Sequence, residues 1–274
     1  MGISGKNNKK SNFIKTNFDP NRTVKSPLAD ISEAERQKMD FRRNLVVGIV
    51  IIGVVVVFFV LAMFGIGVDD TATGNIFLSS GEVNIAFFGD SITEGYTVDE
   101  DGNAYIVETA YPETAKEELL KIYPDIEMNF YNYGISGDIG TETSYERVEE
   151  DVNIAIVLYM VNNFIYGEEY EGILEANVQG LAKTGAAVIL VNYPVCDGSE
   201  YEDLVEECNA YIEQVSEDLV IDLIDADDFF ETEIEAGNYT FDELFASDGL
   251  HLSEEGYNLL GQIIAGVLET YEVE

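Results

Sequence analysis

The stretch that decides the fold is residues 83–95, which read VNIAFFGDSITEG. An apolar run that ends in a glycine is typical of a buried parallel strand, because helices cover both faces of such a strand. The turn after it places the hydroxyl of Ser91 where the strand gives way to a helix. Backbone N–H groups converge at such a turn, so a side chain there lies beside unpaired hydrogen-bond donors.

Four further apolar runs follow, and amphipathic stretches separate them. The predicted strands are Asn84–Phe88, Met128–Tyr133, Ile154–Met160, Ala186–Val191 and Leu219–Ile224. Helical periodicity occurs in Pro112–Ile122, Glu169–Thr184, Glu202–Val215 and Glu254–Tyr271. Strands that alternate with helices predict an α/β fold, here a five-stranded parallel sheet with helices on both faces.

Three residues of this pattern are suited to nucleophilic chemistry. In an open parallel sheet, ligands bind outside the carboxyl ends of the strands, where Ser91 is predicted to lie. A serine hydroxyl is a poor nucleophile unless a base accepts its proton, and the chain contains one histidine, His251. Asp248 lies three residues before it, close enough to orient the imidazole. The candidate catalytic triad is therefore Ser91, Asp248 and His251.

The motifs around these residues resemble those of a known family. The α/β-hydrolases share the chain order Ser, Asp, His but place the serine in G-x-S-x-G, whereas Ser91 follows Gly89 and Asp90. The chain resembles instead the SGNH (GDSL-like) hydrolases, whose sequence blocks begin with G-D-S and end with D-x-x-H. The resemblance covers roughly residues 83 to 271. It implies a three-layer, flavodoxin-like sandwich that acts on acyl esters without a cofactor.

The family's second and third blocks supply an oxyanion hole, and both have counterparts here. Residues 132–138 read NYGISGD, similar to the family's N-x-x-x-S-G-D, which implies an oxyanion role for Gly137, with Gly134 as the alternative. The third block is usually G-x-N-D, and residues 160–163 read MVNN. Asn162 matches the family's asparagine, with Asn163 as the alternative. The resemblance thus implies an oxyanion hole formed by Ser91, Gly137 and Asn162.

A basic segment and a long apolar segment precede this domain. Ten of the 14 Lys and Arg residues lie before position 44, and Leu45 to Val68 then runs for 24 residues without a charge. That length suffices to cross a bilayer, and the basic flank predicts a cytoplasmic N-terminus. We expect a cytoplasmic tail at 1–43, a transmembrane helix at 44–68, a linker at 69–82 and an extracytoplasmic domain at 83–274. A cleaved signal peptide is the alternative, although its apolar core would exceed the usual length of about 7–15 residues.

The part of the chain predicted to lie outside is strongly acidic. Residues 69–274 hold 48 acidic and four basic residues, a formal charge of −44. A field of this sign repels nucleic acid and anionic polymers, so nucleic acid is excluded as a partner. The predicted partners are the membrane, through the N-terminal span, and a small-molecule or carbohydrate acyl ester, which the family resemblance implies.

Two further patterns have alternative interpretations. Thr97 to Glu108 follows the spacing of an EF-hand calcium loop, except that Thr97 replaces the first carboxylate. Because no flanking helix pair is evident, a solvated acidic loop is favoured over a calcium site. Cys196 and Cys208 lie in the predicted outer domain, where a disulfide between them could persist. No zinc-type spacing of Cys and His is present, so no metal site is predicted.

The resemblance leads to a functional expectation with two alternatives. We expect a membrane-anchored serine esterase that hydrolyses acyl esters, acetyl esters of carbohydrates in particular. The first alternative is an O-acyltransferase that passes the acyl group to a cell-wall polysaccharide through the same site. The second is a surface-binding module without activity, which the complete set of Ser91, Asp248 and His251 argues against.

Overall fold

The computed structural model describes residues 74, 75, 77, 82–148 and 151–273. They belong to a compact unit that spans Thr71–Glu274. The predicted cytoplasmic tail at 1–43 and the predicted transmembrane helix at 44–68 lie outside the described residues. Within the described part, no helix is both long and apolar enough to cross a membrane.

Strands and helices alternate along the described chain. The strands are β1 (Gly74–Asn75), β2 (Glu82–Gly89), β3 (Tyr96–Val98), β4 (Ala104–Ile106), β5 (Glu127–Gly134), β6 (Ile154–Leu158), β7 (Ala187–Val191), β8 (Asp222–Ile224) and β9 (Glu272–Val273). The α-helices are α1 (Ser91–Glu94), α2 (Tyr111–Ile122), α3 (Val161–Tyr166), α4 (Ile173–Ala182), α5 (Glu202–Leu219), α6 (Ala226–Glu235), α7 (Phe241–Leu244) and α8 (Glu254–Glu269). A 3₁₀ helix spans Ser144–Arg147.

Five strands form the central sheet, in the order β5-β2-β6-β7-β8, and every neighbouring pair is parallel. This confirms the predicted five-stranded parallel sheet. The last strand begins later than predicted, because α5 continues to Leu219 and ends in the left-handed conformation of Val220 (φ 55°). Consequently only Asp222–Ile224 pairs with β7.

The order of the strands produces three layers. From β2 the chain moves outward to β5, and it then returns past β2 to β6, β7 and β8. Because crossovers between parallel strands are right-handed, these opposite directions place α2 on one face of the sheet and α4 and α5 on the other. Helix α8 packs against α2 and completes the first of these layers. The central strands β2, β6 and β7 are mostly buried, whereas the edge strands β5 and β8 are largely half-buried or exposed.

Part of the predicted linker at 69–82 belongs to the folded unit. Strand β1 pairs with β9 in an antiparallel two-stranded sheet, which joins the two ends of the unit. Phe77 is fully buried, and its ring stacks on Tyr123 at a centroid distance of 4.9 Å. The first and last residues of the domain are therefore held together outside the central sheet.

Strands β3 and β4 form a hairpin in the segment from Thr97 to Glu108. They pair in antiparallel fashion, and the carboxylate of Asp99 accepts hydrogen bonds from the backbone N–H groups of Asp101 and Asn103. The hydroxyl of Thr97, at the first position of the proposed calcium loop, donates to the carbonyl of Leu252. Among the described residues, no three acidic, Cys or His side chains are placed to hold a metal ion together. The segment is a hairpin and not a calcium loop between two helices.

The two cysteines are free thiols in this structure. Cys208 lies on α5 and is buried, whereas Cys196 is half-buried in the loop after β7. Burial raises the pKa of both thiols. A raised pKa reduces the fraction of reactive thiolate at neutral pH.

Candidate active site

The turn after β2 presents Ser91 at the carboxyl end of the sheet. Asp90 is the N-cap of α1, since its side chain accepts a hydrogen bond from the N–H of Ile92. A Cβ at Gly89 would lie 1.9 Å from the Thr93 hydroxyl oxygen and 2.3 Å from the carbonyl oxygen of Leu158. Only glycine fits at position 89, so the first residue of the Gly-Asp-Ser sequence is required for steric reasons.

Ser91 is hydrogen-bonded to His251, and His251 to Asp248. The distance from Ser91 Oγ to His251 Nε2 is 2.9 Å, and that from His251 Nδ1 to Asp248 Oδ2 is 2.7 Å. An ionised carboxylate can only accept, so Nδ1 carries the proton and Nε2 is free to accept from the serine hydroxyl. The structure thus brings together the three residues that the sequence singles out as a triad, in the order that base catalysis by histidine requires.

Asp248 is held by the loop that carries it. Its second oxygen, Oδ1, accepts hydrogen bonds from the N–H groups of Leu250 and His251. Burial alone would raise the pKa of the Asp248 carboxyl, but these bonds and the bond from the His251 ring together hold the pKa below its usual value. Asp248 is therefore ionised throughout the neutral range and orients the imidazole.

The hairpin β3–β4 contacts the histidine and the loop that carries it. The ring of Tyr96 lies 4.6 Å from the imidazole of His251 between centroids, and Thr97 binds the carbonyl of Leu252, the residue after the histidine. The hydroxyl of Ser247 donates to the carbonyl of Asp99 at 2.7 Å. This role of the hairpin could not be predicted from the sequence, because two three-residue strands carry too little periodicity to be recognised.

The glycines of the second block have different environments. A Cβ at Gly134 would lie 2.2 Å from the backbone nitrogen of Glu94, so this glycine permits close contact between β5 and α1. Gly137 adopts φ +72° with open space around it, and no described group accepts a hydrogen bond from its N–H. Of the two candidates, only Gly137 lies in an open loop with a free donor.

The two asparagines of the third block also differ. Asn163 is fully buried, and its amide is occupied: the oxygen accepts from the N–H of Gly140, and the nitrogen donates to the carbonyls of Glu169 and Gly140. Asn162 donates one N–H to the carbonyl of Asp138 at 3.0 Å. An amide nitrogen carries two donors, so Asn162 retains one for a ligand and Asn163 does not.

Met160 stands where the family usually has glycine, and its backbone is strained. Its backbone adopts φ +113°, a region that residues other than glycine rarely occupy. Its side chain is fully buried. Met160 immediately precedes α3, so this conformation sets the direction in which the helix leaves β6 and presents Asn162. The turn keeps the geometry of a glycine although the residue has changed.

This strain predicts an inverted order of stability for two variants of Met160. Met160→Ala and Met160→Gly leave nearly the same cavity, and each should lower the free energy of unfolding by about 2–4 kcal/mol. Since glycine removes the strain at φ +113°, Met160→Gly should be the more stable of the two by about 1 kcal/mol. Urea denaturation measures the difference.

The matched control is Ile156, which is buried in the middle of β6. At this ordinary strand position Ile156→Gly should be less stable than Ile156→Ala, because glycine loses more backbone entropy on folding. A Met160→Gly variant that is also less stable than Met160→Ala would show that the turn is unstrained.

A buried pair joins the serine turn to the third block. Asp90 is completely buried, and burial raises its pKa to about 6, although hydrogen bonds from Tyr193 and Ile92 act in the opposite direction. The hydroxyl of Tyr193 donates to Asp90 at 2.5 Å and accepts from the N–H of Val161 at 3.3 Å. Tyr193 follows β7, and nothing in the sequence near it indicated this contact.

A serine at a strand-to-helix turn, hydrogen-bonded to a histidine and an aspartate from a single loop, is an arrangement suited to acyl transfer through a covalent intermediate. Comparison with known proteins gives the family. The model of the GDSL-like Lipase/Acylhydrolase family matches residues 87–259, well over half of the chain. The chain belongs to this family, as the motifs indicated, and it is a carboxylic ester hydrolase.

Solved structures with the same fold come from several bacteria. A lipase/acylhydrolase from Enterococcus faecalis is 23% identical, with a TM-score of 0.53 over 70% of this chain and 97% of that chain. A mutant of an acetyl-xylooligosaccharide esterase from Geobacillus stearothermophilus is 19% identical, with a TM-score of 0.57 over 72% and 98% of the two chains. A lipolytic protein from Desulfitobacterium hafniense is 19% identical, with a TM-score of 0.51 over 68% and 99%. A search of curated protein sequences found no match.

Proposed function

We propose that the chain is a membrane-anchored, extracytoplasmic serine esterase that hydrolyses acyl esters, with acetylated carbohydrate as its favoured substrate. The observation that carries the proposal is the hydrogen-bonded chain from Ser91 through His251 to Asp248 at the carboxyl end of the sheet. Each member is within hydrogen-bond distance of the partner that its proposed role requires.

The reaction proceeds in two halves. His251 Nε2 takes the proton of Ser91 as the hydroxyl oxygen bonds to the ester carbonyl carbon, and the imidazolium then returns that proton to the departing alcohol. The product is an acyl ester of Ser91. In the second half His251 takes a proton from water, the hydroxide oxygen bonds to the acyl carbon, and the proton returns to Ser91 as the carboxylic acid leaves.

We assign three donors to the developing oxyanion. They are the N–H of Ser91, the N–H of Gly137 and the remaining amide N–H of Asn162. Preorganised donors of this kind stabilise the negative charge of the tetrahedral intermediate, and loss of one typically lowers kcat by about 10²–10³-fold. Asn163 takes no part, because its amide is already hydrogen-bonded to Gly140 and Glu169.

The charge of the domain supports an uncharged substrate. Of the four basic residues after position 69, Lys116 and Lys121 lie on α2 and Arg147 pairs with Asp138. A surface with this excess of carboxylates repels anionic esters, whereas an acetylated neutral sugar meets no such barrier. The similarity in fold to an acetyl-xylooligosaccharide esterase is compatible with this substrate class.

The membrane anchor is proposed from the sequence. Leu45 to Val68 has the length and composition of a spanning helix, and the basic residues before it favour an N-terminus in the cytoplasm.

Protease added to intact cells should then digest the domain and spare a tag fused at Met1. A domain that stays protected would overturn this orientation.

The same site could transfer the acyl group to a sugar hydroxyl, and the two reactions differ only in what attacks the acyl-Ser91 intermediate. A transferase must hold its acceptor and shield the intermediate from water. Hydrolysis requires neither an acceptor site nor such a shield. We therefore expect water to be the acceptor.

This expectation is tested by measuring whether the acyl group is transferred to water or to a sugar. The purified full chain is incubated with p-nitrophenyl acetate, with and without neutral oligosaccharides, and the products are identified by mass spectrometry. Free acetate should form at a similar rate in both mixtures, with little acetylated sugar. Acetylated oligosaccharide as the main product would establish the transferase instead.

A further inference from the structure

The three oxyanion donors of the proposed mechanism belong to three separate segments. Ser91 follows β2, Gly137 lies in the loop after β5, and Asn162 is in the first turn of α3. A hydrogen bond to the oxyanion requires each donor at about 2.7–3.1 Å, so the three segments must keep fixed positions relative to one another.

Asp138 connects two of the three segments. It directly follows Gly137, and its backbone carbonyl accepts the hydrogen bond from the Asn162 amide. Its carboxylate points elsewhere and accepts a hydrogen bond from the hydroxyl of Tyr159 at 2.6 Å. Movement of Asp138 would therefore displace the N–H of Gly137 and the amide of Asn162 together.

Arg147 connects Asp138 to the third segment. One guanidinium nitrogen forms an ion pair with the Asp138 carboxylate, and the other donates to the carbonyl of Gly89 at 2.7 Å. Gly89 is two residues before Ser91 and begins the turn that presents the serine. A single planar group thus joins Asp138, which follows Gly137 and accepts from Asn162, to the turn of Ser91.

Two aromatic rings pack against the guanidinium of Arg147. The guanidinium carbon lies 4.2 Å from the centroid of the Phe88 ring and 5.2 Å from that of Tyr159. The side chains of Arg147 and Asp138 are 19% and 24% exposed, which limits screening of their attraction by solvent. Arg147 is also the sole arginine after position 69 in a domain dominated by carboxylates.

We propose that Arg147, acting through Asp138, is the positioning residue of the oxyanion hole. Its planar fork holds Gly89 and Asp138 at a fixed separation, and this separation sets where the donors of Ser91, Gly137 and Asn162 converge. A lysine has the same charge but a single point donor, which cannot keep both contacts in one geometry. The proposal rests on the esterase mechanism proposed above.

Arg147→Lys tests it in the full chain with p-nitrophenyl acetate. Because misplacement of a catalytic donor by about 1 Å can cost about 10²-fold in rate, kcat should fall about 10- to 100-fold while KM changes less than about twofold. A general loss of structure would instead lower the amount of active enzyme, which titration with a fluorophosphonate measures. The matched control is Lys121→Arg, an exposed residue paired with Glu118, whose kcat should equal that of the parent.

A double-mutant cycle shows whether Arg147 acts through the oxyanion donors. Asn162→Ala removes one of the donors that Arg147 is proposed to position. Arg147→Lys should therefore lower kcat by a smaller factor in the Asn162→Ala background than in the parent. Full multiplication of the two losses would overturn the proposal, and so would an unchanged kcat in Arg147→Lys. If Arg147→Lys fails to fold, Tyr159→Phe takes its place as the test. It removes one hydrogen bond to Asp138 and should lower kcat about two- to fivefold.

The Ser91→Ala variant separates this inference from the proposed function. If Ser91→Ala retains ester turnover, the esterase mechanism is wrong and the positioning role falls with it. If Ser91→Ala is inactive and Arg147→Lys is fully active, the mechanism stands and Arg147 has no positioning role.

Discussion

Ser91→Ala should lower kcat for p-nitrophenyl acetate by about 10⁴-fold or more, because no other group can form the acyl-enzyme intermediate. The fold should be unaffected, since the Ser91 hydroxyl has one hydrogen bond, to His251. Far-UV circular dichroism and the melting temperature should match those of the parent. A fluorophosphonate probe, which reacts with an activated serine, should label the parent and not the variant.

The control is Ser216→Ala on α5, whose hydroxyl donates to the carbonyl of Ile221 outside the candidate site. It should retain both labelling and turnover. Labelling that persists in Ser91→Ala would place the nucleophile elsewhere. Turnover that persists without labelling would mean that the reaction does not pass through a serine ester.

Much of this site could be predicted from the sequence because the chemistry left few choices. A single histidine fixes the candidate base, and Asp248 three residues earlier fixes its partner. Strands β6 and β7 were readily predicted because central parallel strands are continuous apolar runs. Strand boundaries were less certain, as the late start of β8 after Val220 shows.

The choice between neighbouring residues required coordinates. Asn162 and Asn163 have the same chemistry and adjacent positions, yet successive residues of a helix point about 100° apart. As a result Asn163 is directed at Gly140 and Glu169, and Asn162 at Asp138. No local pattern in the sequence distinguishes these directions.

The supporting contacts were not predictable for a different reason. Arg147 and Gly89 are 58 residues apart, and Tyr193 and Asp90 are 103 apart. Contacts of this length depend on the strand order of the finished sheet and not on local periodicity. The same holds for Thr97 and Leu252, which join the hairpin to the histidine loop across 155 residues.

Met160 shows a further limit of motif matching. Its substitution for the family glycine weakened the match of the third block, yet the backbone adopts φ +113° as a glycine would. The surrounding packing imposes the turn, and the strain remains as a cost to stability. A motif can therefore be lost in sequence while its geometry persists.

Asp248→Asn should have the second largest effect, about a 10⁴-fold loss in kcat with little change in KM. The amide can still accept from the N–H groups of Leu250 and His251, so the loop should keep its shape. Its nitrogen, however, would donate to His251 Nδ1 and move the ring proton to Nε2. A protonated Nε2 cannot accept the proton of Ser91, and base catalysis stops. Asp101→Asn, on the exposed hairpin tip, is the control and should be fully active.

His251 makes this mechanism directly observable, since it is the one histidine in the chain and selective ¹⁵N-histidine labelling gives the NMR signals of a single imidazole. The parent should show the proton on Nδ1, as the 2.7 Å bond to Asp248 requires, and Asp248→Asn should show it on Nε2. The tautomer and the rate should change together. A variant that loses activity while its proton stays on Nδ1 would show that Asp248 acts mainly by stabilising the imidazolium charge, and one that keeps its activity would remove Asp248 from the triad.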